Sequence, residues 1–337
     1  YLNVNLDECI RRDVKGLYKK ALKGEINNFI GIADSNPYEI PINPEIKIDT
    51  TKQTVKRSAN QVLLFLKSRN SILDTHDGVL NLPFDVSYPE IYLAIASVLK
   101  AGDKVLEIYN TDFDVDFKEG KEPLTEADLA SDKVIKEIID FSGHPVLSEE
   151  SIEDFEVIEN RINNKFSWII DPLDGTSDFV NKSGEFTIMV SLVRNNKPIF
   201  GIVYHPINDS LYVAQDGTGA FKFKNNKWSR INVNGTSDLR SCKAVGSRHH
   251  LSDQEKEIIS QLEILDFSPR GSSLKAMDIS SGKAEIYFTT TNKIKQWDTC
   301  ASYCIVKEAG GKMTDMFGKE LKYNTKKVNH ENGILVT

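Results

Sequence analysis

The segment Trp168-Ile-Ile-Asp171-Pro-Leu-Asp174-Gly-Thr176-Ser-Asp-Phe179 sets two carboxylates at the end of an apolar run. Residues 166 to 170 have the length and composition of a buried strand. Folding alone gives no reason to continue it into Asp171 and, three residues on, Asp174, because gathered buried charge is costly. Gly175 lets a backbone approach closely, and the amides that follow can open a helix whose N-terminus favours an anion.

Three further stretches put acids where elements begin or end. Asp128 lies in Leu124-Thr-Glu-Ala-Asp128, at the start of a helix read over 125–141. Glu149 and Glu150 follow the run Pro145-Val-Leu-Ser148. Asp298 lies in Gln296-Trp-Asp298-Thr-Cys-Ala, at the head of a helix closed by Gly310-Gly311. Each has a purely structural reading in isolation: a capping box for Thr125 and Asp128, an N-cap for Asp298, a solvated turn for Glu149 and Glu150. Taken together, hard oxygen ligands with no His or Cys nearby select Mg²⁺ or a similar cation rather than zinc. Mg²⁺ keeps waters and takes phosphate oxygens, so acids beside an anion-favouring helix start point to phosphoryl chemistry. No nucleophilic Ser or Cys pairs with a His in these motifs, which points to direct attack by water.

Around these motifs the pattern is layered α and β. Residues 91–109 repeat apolar positions at helical spacing (Ile91, Ala94, Val98, Ala101, Val105, Ile108). Residues 185–233 alternate, with turn signals at Asn195-Asn196, Asn208-Asp209, Asp216-Gly217 and Asn225-Asn226, as an antiparallel meander does. The last third returns to helices and short strands. Upstream, Val14 to Glu25 is a basic helical stretch closed by Gly24, residues 46–48 read as a strand, and 54–67 repeat Val55, Ala59, Val62, Leu63 and Leu66 at helical spacing. Residues 70–89 are polar with turn signals and read as a linker, after which a single larger domain runs from Glu90. The chain opens at Tyr1 inside a strand-like run, so upstream sequence is expected.

Composition bounds the partners. The 337 residues correspond to about two domains. With 40% apolar and 27% charged residues, the chain reads as an ordinary soluble protein rather than a disordered one. Its 42 basic and 49 acidic residues give a net charge of −7, which offers no general electrostatic grip on nucleic acid. No apolar stretch approaches the length that spans a bilayer and no signal peptide is visible, so no membrane partner is expected. Four scattered cysteines make no disulfide framework, and Cys300 and Cys304 read as small core residues. A reducing, cytoplasmic setting follows.

Thr125-Glu-Ala-Asp128, Ser148-Glu-Glu-Ser151, Asp171-Pro-Leu-Asp-Gly-Thr176 and Trp297-Asp298 together resemble the lithium-sensitive, Mg²⁺-dependent phosphomonoesterase superfamily, over residues 90–337. Its members include inositol monophosphatase, fructose-1,6-bisphosphatase and 3′(2′),5′-bisphosphate nucleotidase. Gly184-Glu-Phe-Thr187, Gly271-Ser-Ser-Leu-Lys275 with Gly282-Lys-Ala-Glu-Ile-Tyr287, and Lys295-Gln-Trp-Asp-Thr-Cys-Ala301 are similar to the nucleotidase branch. Tyr287-Phe-Thr-Thr-Thr291 departs from the Pro-Arg usual after that tyrosine in the bacterial form. The resemblance implies an αβαβα sandwich and hydrolysis of the 3′-phosphate of adenosine 3′,5′-bisphosphate (PAP), or of 3′-phosphoadenosine 5′-phosphosulfate (PAPS). It implies two or three Mg²⁺ ions held by Glu149, Asp171, the Leu173 carbonyl, Asp174 and Asp298, with Glu150 behind them. Asp128, acting through the Thr176 hydroxyl, would position and deprotonate the attacking water, and the Gly175 and Thr176 amides would hold phosphoryl oxygens. Ser247, His250, Gly271, Lys275 and Lys295 would bind the nucleotide, with Arg248 a further candidate for the charged 5′ group. Inositol monophosphatase or sugar bisphosphatase activity on the same scaffold, and a non-catalytic nucleotide-binding module, are the rival readings.

Residues 1–69 resemble something else. Arg12-Asp-Val-Lys-Gly-Leu-Tyr-Lys-Lys-Ala21, then Gly31-Ile-Ala-Asp, Pro37-Tyr-Glu and Asn43-Pro-Glu-Ile, are similar to the C-terminal part of adenylylsulfate (APS) kinase, a P-loop α/β domain. No Gly-x4-Gly-Lys-Ser/Thr occurs in the chain, so phosphorylation of APS by this chain alone is not expected. The basic helix could pack against a missing kinase half. Since APS kinase makes PAPS, the juxtaposition points to sulfate assimilation by association.

Overall fold

A computed structural model describes residues 1–33, 35–42, 44, 46–51, 58, 62, 73–75, 78–80, 82–111, 115–117, 123–151, 153–236 and 238–337. It divides into two compact units, Tyr1–Asn70 and Ser71–Thr337. In the first, strand Leu2–Asn3 pairs in parallel with Ile48–Asp49, and helices Leu6–Arg12 and Leu17–Leu22 lie between them in sequence. Asn5 Oδ1 accepts the Glu8 N–H at 2.8 Å to start the first helix. Beyond the second helix, Gly24 takes a φ of +74° that a side chain would resist. The helical repeat over 54–67 lies outside the described residues apart from Ser58 and Val62.

The second unit carries the motifs. Within the stretch read as a linker, Leu73–Thr75 pairs antiparallel with Gly78–Leu80. Helix α1 (Glu90–Tyr109) follows, then a hairpin of Val115–Phe117 with Pro123–Thr125. The chain continues through α2 (Glu126–Ile139), β1 (Val146–Ser148), α3 (Phe155–Asn163), β2 (Phe166–Asp174) and α4 (Thr176–Val180). The meander is β3 (Thr187–Arg194), β4 (Lys197–His205), β5 (Ser210–Gln215), β6 (Gly219–Lys224) and β7 (Lys227–Ile231). The last third comprises β8 (Lys243–Ser247), α5 (Asp253–Gln261), β9 (Asp266–Arg270), α6 (Leu274–Ser280), β10 (Ile286–Thr289), α7 (Gln296–Glu308), β11 (Met313–Thr314) and β12 (Ile334–Val336).

Seven strands form one sheet in the order β7-β6-β5-β4-β3-β2-β1, antiparallel except for the parallel β1–β2 pair. Asn195-Asn196 and Asn225-Asn226 close two of its hairpins with both residues at positive φ, the geometry that matches strand twist. Five strands form a second sheet, β9-β8-β10-β12-β11, with β8 parallel to both its neighbours.

Strand parity shows how the layers stack. In β4, a Cβ on Gly201 would meet the Ala301 carbonyl of α7 at 2.4 Å. Three residues on, and so on the opposite face, Tyr204 packs where a Cβ on Gly102 of α1 would meet it at 2.2 Å. The first sheet is therefore sandwiched between α1 and α7. In the second sheet, Val245 and Tyr287 pack inward with Cys300, Ala301 and Cys304 of α7, whereas Ala244, Ile286 and Phe288 pack outward with Ile258, Ile259 and Leu262 on and beside α5. The result is the αβαβα sandwich: α1 and α2, the seven-stranded sheet, α6 and α7, the five-stranded sheet, and α5. Cys300 and Cys304 are core residues.

Candidate active site

Asp171 and Asp174 face the same side because the strand is irregular. Asp171 pairs with Met189 but Asp174 pairs with Thr187, so three steps along β2 match two along β3. In a regular strand, residues three apart point to opposite faces. One extra residue at Pro172-Leu173 forms a bulge that brings both carboxylates to the inner face. Observed β2 thus runs through the acids to Asp174, beyond the apolar run legible in the sequence. The bulge is pinned by the Leu173 N–H donating to Asp171 Oδ1 at 3.1 Å.

Three further elements deliver the remaining acids. Glu149 follows the end of β1, and Asp298 is the third residue of α7, where Oδ2 accepts the Lys295 N–H at 2.7 Å. Asp298 is therefore a first-turn acid, with Lys295 in the cap position. Oxygens of Glu149, Asp171 and Asp298 lie within 4.8 Å of one another. Asp174 borders the same cavity, accepting from the Ser273 N–H and from Thr187 Oγ1. Asp128 starts α2 within a capping box and also accepts the Thr176 hydroxyl at 3.0 Å on its other oxygen. Capping and a link to the cavity thus coexist in one carboxylate. Thr176 Oγ1 also lies 3.3 Å from the Leu173 carbonyl.

Burial raises the proton affinity of the four aspartates, and repulsion from neighbouring acids adds to it. Asp171 is held well above the usual carboxylate range by burial first, then by Glu149, Asp174, Asp298 and Asp128. Asp298 is likewise raised by burial and then by Glu149. Asp174 is raised by burial although Lys275 opposes it, and Asp128 is raised by burial against hydrogen bonds from Thr125 and Thr176. Crowded, dry carboxylates of this kind need a cation to be ionised together. The donors are all hard oxygens, which fits Mg²⁺.

The cavity has a volume of about 960 Å³. Its wall includes Gly175, Thr176, Ser247, His250, Gly271, Lys275 and Lys295 together with Glu149, Asp171, Leu173, Asp174 and Asp298. Gly175 adopts φ +92° with Ser272 only 3.0 Å from where a Cβ would sit. Lys275 is buried; its Nζ donates to the Ser272 carbonyl at 2.6 Å and lies 5.3 Å from the Tyr287 ring. Burial lowers its proton affinity. Lys295 Nζ lies 5.4 Å from the Trp297 ring. Asp128 stands behind the wall, reached through Thr176. Arg248 is turned to Glu185 at 2.7 Å and Asp178 at 3.5 Å, and the Glu150 N–H points to Ser148 Oγ at 3.3 Å.

Sequence reading missed Asp178, Glu185 and Arg270. Glu185 accepts from Arg248, Arg270 and the Gly271 N–H, each at 2.7 Å. Asp178 is buried on the cavity wall, with His249 Nε2 at 3.3 Å, and a Cβ on Gly271 would strike its Oδ2 at 2.5 Å. Their one sequence signal is Asp178, a charge beside apolar Phe179 in the short helix after Thr176. No long apolar helix capable of crossing a membrane occurs among the described residues.

Residues 88–335 match the inositol monophosphatase family profile, and residues 1–49 match that of adenylylsulphate kinase. The chain is 36% identical over 229 residues to the 3′(2′),5′-bisphosphate nucleotidase CysQ of Escherichia coli K12, covering 66% of this chain and 89% of that protein. The CysQ of Buchnera aphidicola is 33% identical over 235 residues, covering 66% and 83%. Among solved structures, CysQ from Bacteroides thetaiotaomicron superposes with a TM-score of 0.63 at 31% identity, covering 73% of this chain and 95% of that one. An inositol monophosphatase of Thermotoga maritima gives 0.63 at 26% identity, covering 74% and 92%. With its five layers, its bulged acidic strand and these relatives, the chain belongs to the inositol monophosphatase family.

Proposed function

We propose that this chain is a Mg²⁺-dependent 3′(2′),5′-bisphosphate nucleotidase that converts PAP to AMP in sulfate assimilation, with PAPS a second substrate carrying the same 3′-phosphate. The convergence of Glu149, Asp171 and Asp298 within 4.8 Å, on the wall of a cavity that also holds Lys275 and Lys295, carries the reading. The CysQ relatives supply the substrate class, and the adenylylsulphate kinase match at residues 1–49 supplies the link to sulfate. A cytoplasmic setting goes with it.

Glu149, Asp171, the Leu173 carbonyl, Asp174 and Asp298 would hold the metal. Mg²⁺, when bound, supplies charge neutralisation on the phosphoryl and leaving oxygens. The Thr176 hydroxyl donates to Asp128, which leaves its oxygen lone pairs free to accept from a water; as the water's proton passes to Thr176 Oγ1, the hydroxyl's own proton passes to Asp128. Burial makes Asp128 a stronger base than a free carboxylate. On the cavity wall, the Gly175 and Thr176 amides would hold phosphoryl oxygens, and Lys275 and Lys295, with Ser247, His250 and Gly271, would take the second phosphate and the nucleoside. Residues 1–69 are read as a kinase-like domain without its P-loop, able to associate with a kinase half, 70–89 as a linker and 90–337 as the nucleotidase.

Side-by-side phosphate release from PAP, inositol 1-phosphate and fructose 1,6-bisphosphate tests this. PAP is expected to be fastest, and to need Mg²⁺. Faster release from inositol 1-phosphate would overturn the substrate assignment, and tight PAP binding without hydrolysis would make the chain a binding module.

A further inference from the structure

Helix α2 touches three of the loops that carry the site, and two of its side chains have no part in the chemistry above. Asp128, Ser131, Asp132 and Lys136 follow helical spacing and share one face of α2. Asp128 reaches Thr176, and Ser131 Oγ donates to the Pro172 carbonyl in the β2 bulge at 2.6 Å. Asp132 Oδ1 accepts the Ser148 hydroxyl at 2.5 Å. Lys136 Nζ joins Asp132 Oδ2 at 2.5 Å to Ser151 Oγ at 2.9 Å. Ser148 and Ser151 bracket Glu149 and Glu150. The turn leaves β1, the edge strand of its sheet, so the ladder fixes it from the β2 side only.

We propose that Asp132 and Lys136 are positioning residues that clamp the Ser148–Ser151 turn to α2 and so set Glu149 in register with Asp171 for divalent cation binding. The need is electrostatic. Acids that repel one another separate unless their loops are held, and a ligand set already assembled spends less of its binding free energy on ordering. Ser131 holds the partner loop through Pro172, so α2 fixes both sides of the ligand set by one rigid element.

The inference rests on the Mg²⁺ reading above and is tested by titrating Mg²⁺ into the full chain by calorimetry without substrate, alongside phosphate release as a function of Mg²⁺. Lys136→Met separates positioning from charge. Removing a cation beside an acidic site tightens Mg²⁺ on charge grounds alone, whereas loss of the clamp weakens it. A roughly 10-fold or greater rise in the Mg²⁺ dissociation constant is expected for Lys136→Met and Asp132→Ala, the scale of outer-shell metal partners. Asp132→Asn, which keeps an acceptor for Ser148, loses less, and kcat at saturating Mg²⁺ stays near wild type in all three. Lys136 is partly exposed, so its variant retains the fold. Lys136→Met binding Mg²⁺ as tightly as the unmodified chain, or more tightly, overturns the inference alone. An unmodified chain that binds no Mg²⁺ overturns the metal reading itself.

Discussion

Asp298→Asn is expected to raise the stability of the metal-free chain while abolishing its activity. The acid lies within 4.8 Å of oxygens from Glu149 and Asp171. At that distance and an effective dielectric of about 20, one pair of ionised carboxylates repels by about 3.5 kcal/mol. Part of this is relieved by proton uptake, since burial and then Glu149 raise the proton affinity of Asp298. The Lys295 N–H keeps an acceptor in Asn. A net gain of about 2 kcal/mol remains, or about 4 °C or more in melting temperature. The pH dependence has a definite sign. A carboxyl whose affinity is raised in the folded state destabilises it increasingly as pH rises above its ordinary value of 3.8, so the advantage of Asn grows from acid to neutral pH and vanishes in strong acid. With Mg²⁺ at about 100 times its dissociation constant the wild type gains about 2.7 kcal/mol, and the variant little. The order of stability therefore crosses over. Thermal unfolding in EDTA and in Mg²⁺, with phosphate release from PAP measured in parallel, checks both halves. A variant that melts lower than wild type in EDTA, and is still stabilised by Mg²⁺, would refute the electrostatic account.

Thr176→Val removes the hydroxyl between the cavity and Asp128; kcat for PAP is expected to fall by about 100-fold or more, with Mg²⁺-induced stabilisation retained in a thermal melt. Thr125→Ala removes a hydrogen bond that steadies ionised Asp128, so the acid limb of the rate profile moves about 1 pH unit higher, because a base held more tightly by its proton needs higher pH to act. A profile unmoved by Thr125→Ala would deny Asp128 the role of base. Gly201→Ala forces a methyl against the Ala301 carbonyl of α7, a contact of backbone that cannot give easily. Destabilisation of about 3 kcal/mol is expected in urea unfolding, together with reduced activity, since α7 carries Asp298 in its first turn.

Much of the second unit is written in local pattern. The apolar repeat over 91–109 became α1, and the paired Asn turns became the hairpins of the meander, because both signals act within a few residues. Strand β2 extended further than its apolar run because ladder pairing with β3 continues past Pro172, which composition alone treats as a break. The second sheet was indistinct for a different reason: β8 pairs with β9 and β10, and parallel pairing between separated segments leaves no turn signal. At the site, the metal-type acids were legible because they recur in short motifs where elements begin or end. Asp178, Glu185 and Arg270 were not, because their pairing is made by residues up to 86 positions apart. Asp132 and Lys136 have the i, i+4 spacing common on ordinary solvated helices, and only the fold brings Ser148 and Ser151 to them.

The extra residue at Pro172-Leu173 also constrains how this segment can change. Deleting either residue would leave the aspartates two apart in an evenly pleated strand, still on one face, but without the kink at which the Leu173 N–H meets Asp171 Oδ1; keeping both residues and pairing them regularly would instead send one aspartate into the opposite layer of the sandwich. The three-residue spacing of the acids therefore works only together with the bulge that absorbs one residue. Transplanting the site to another sheet would accordingly require moving the kink together with its acids.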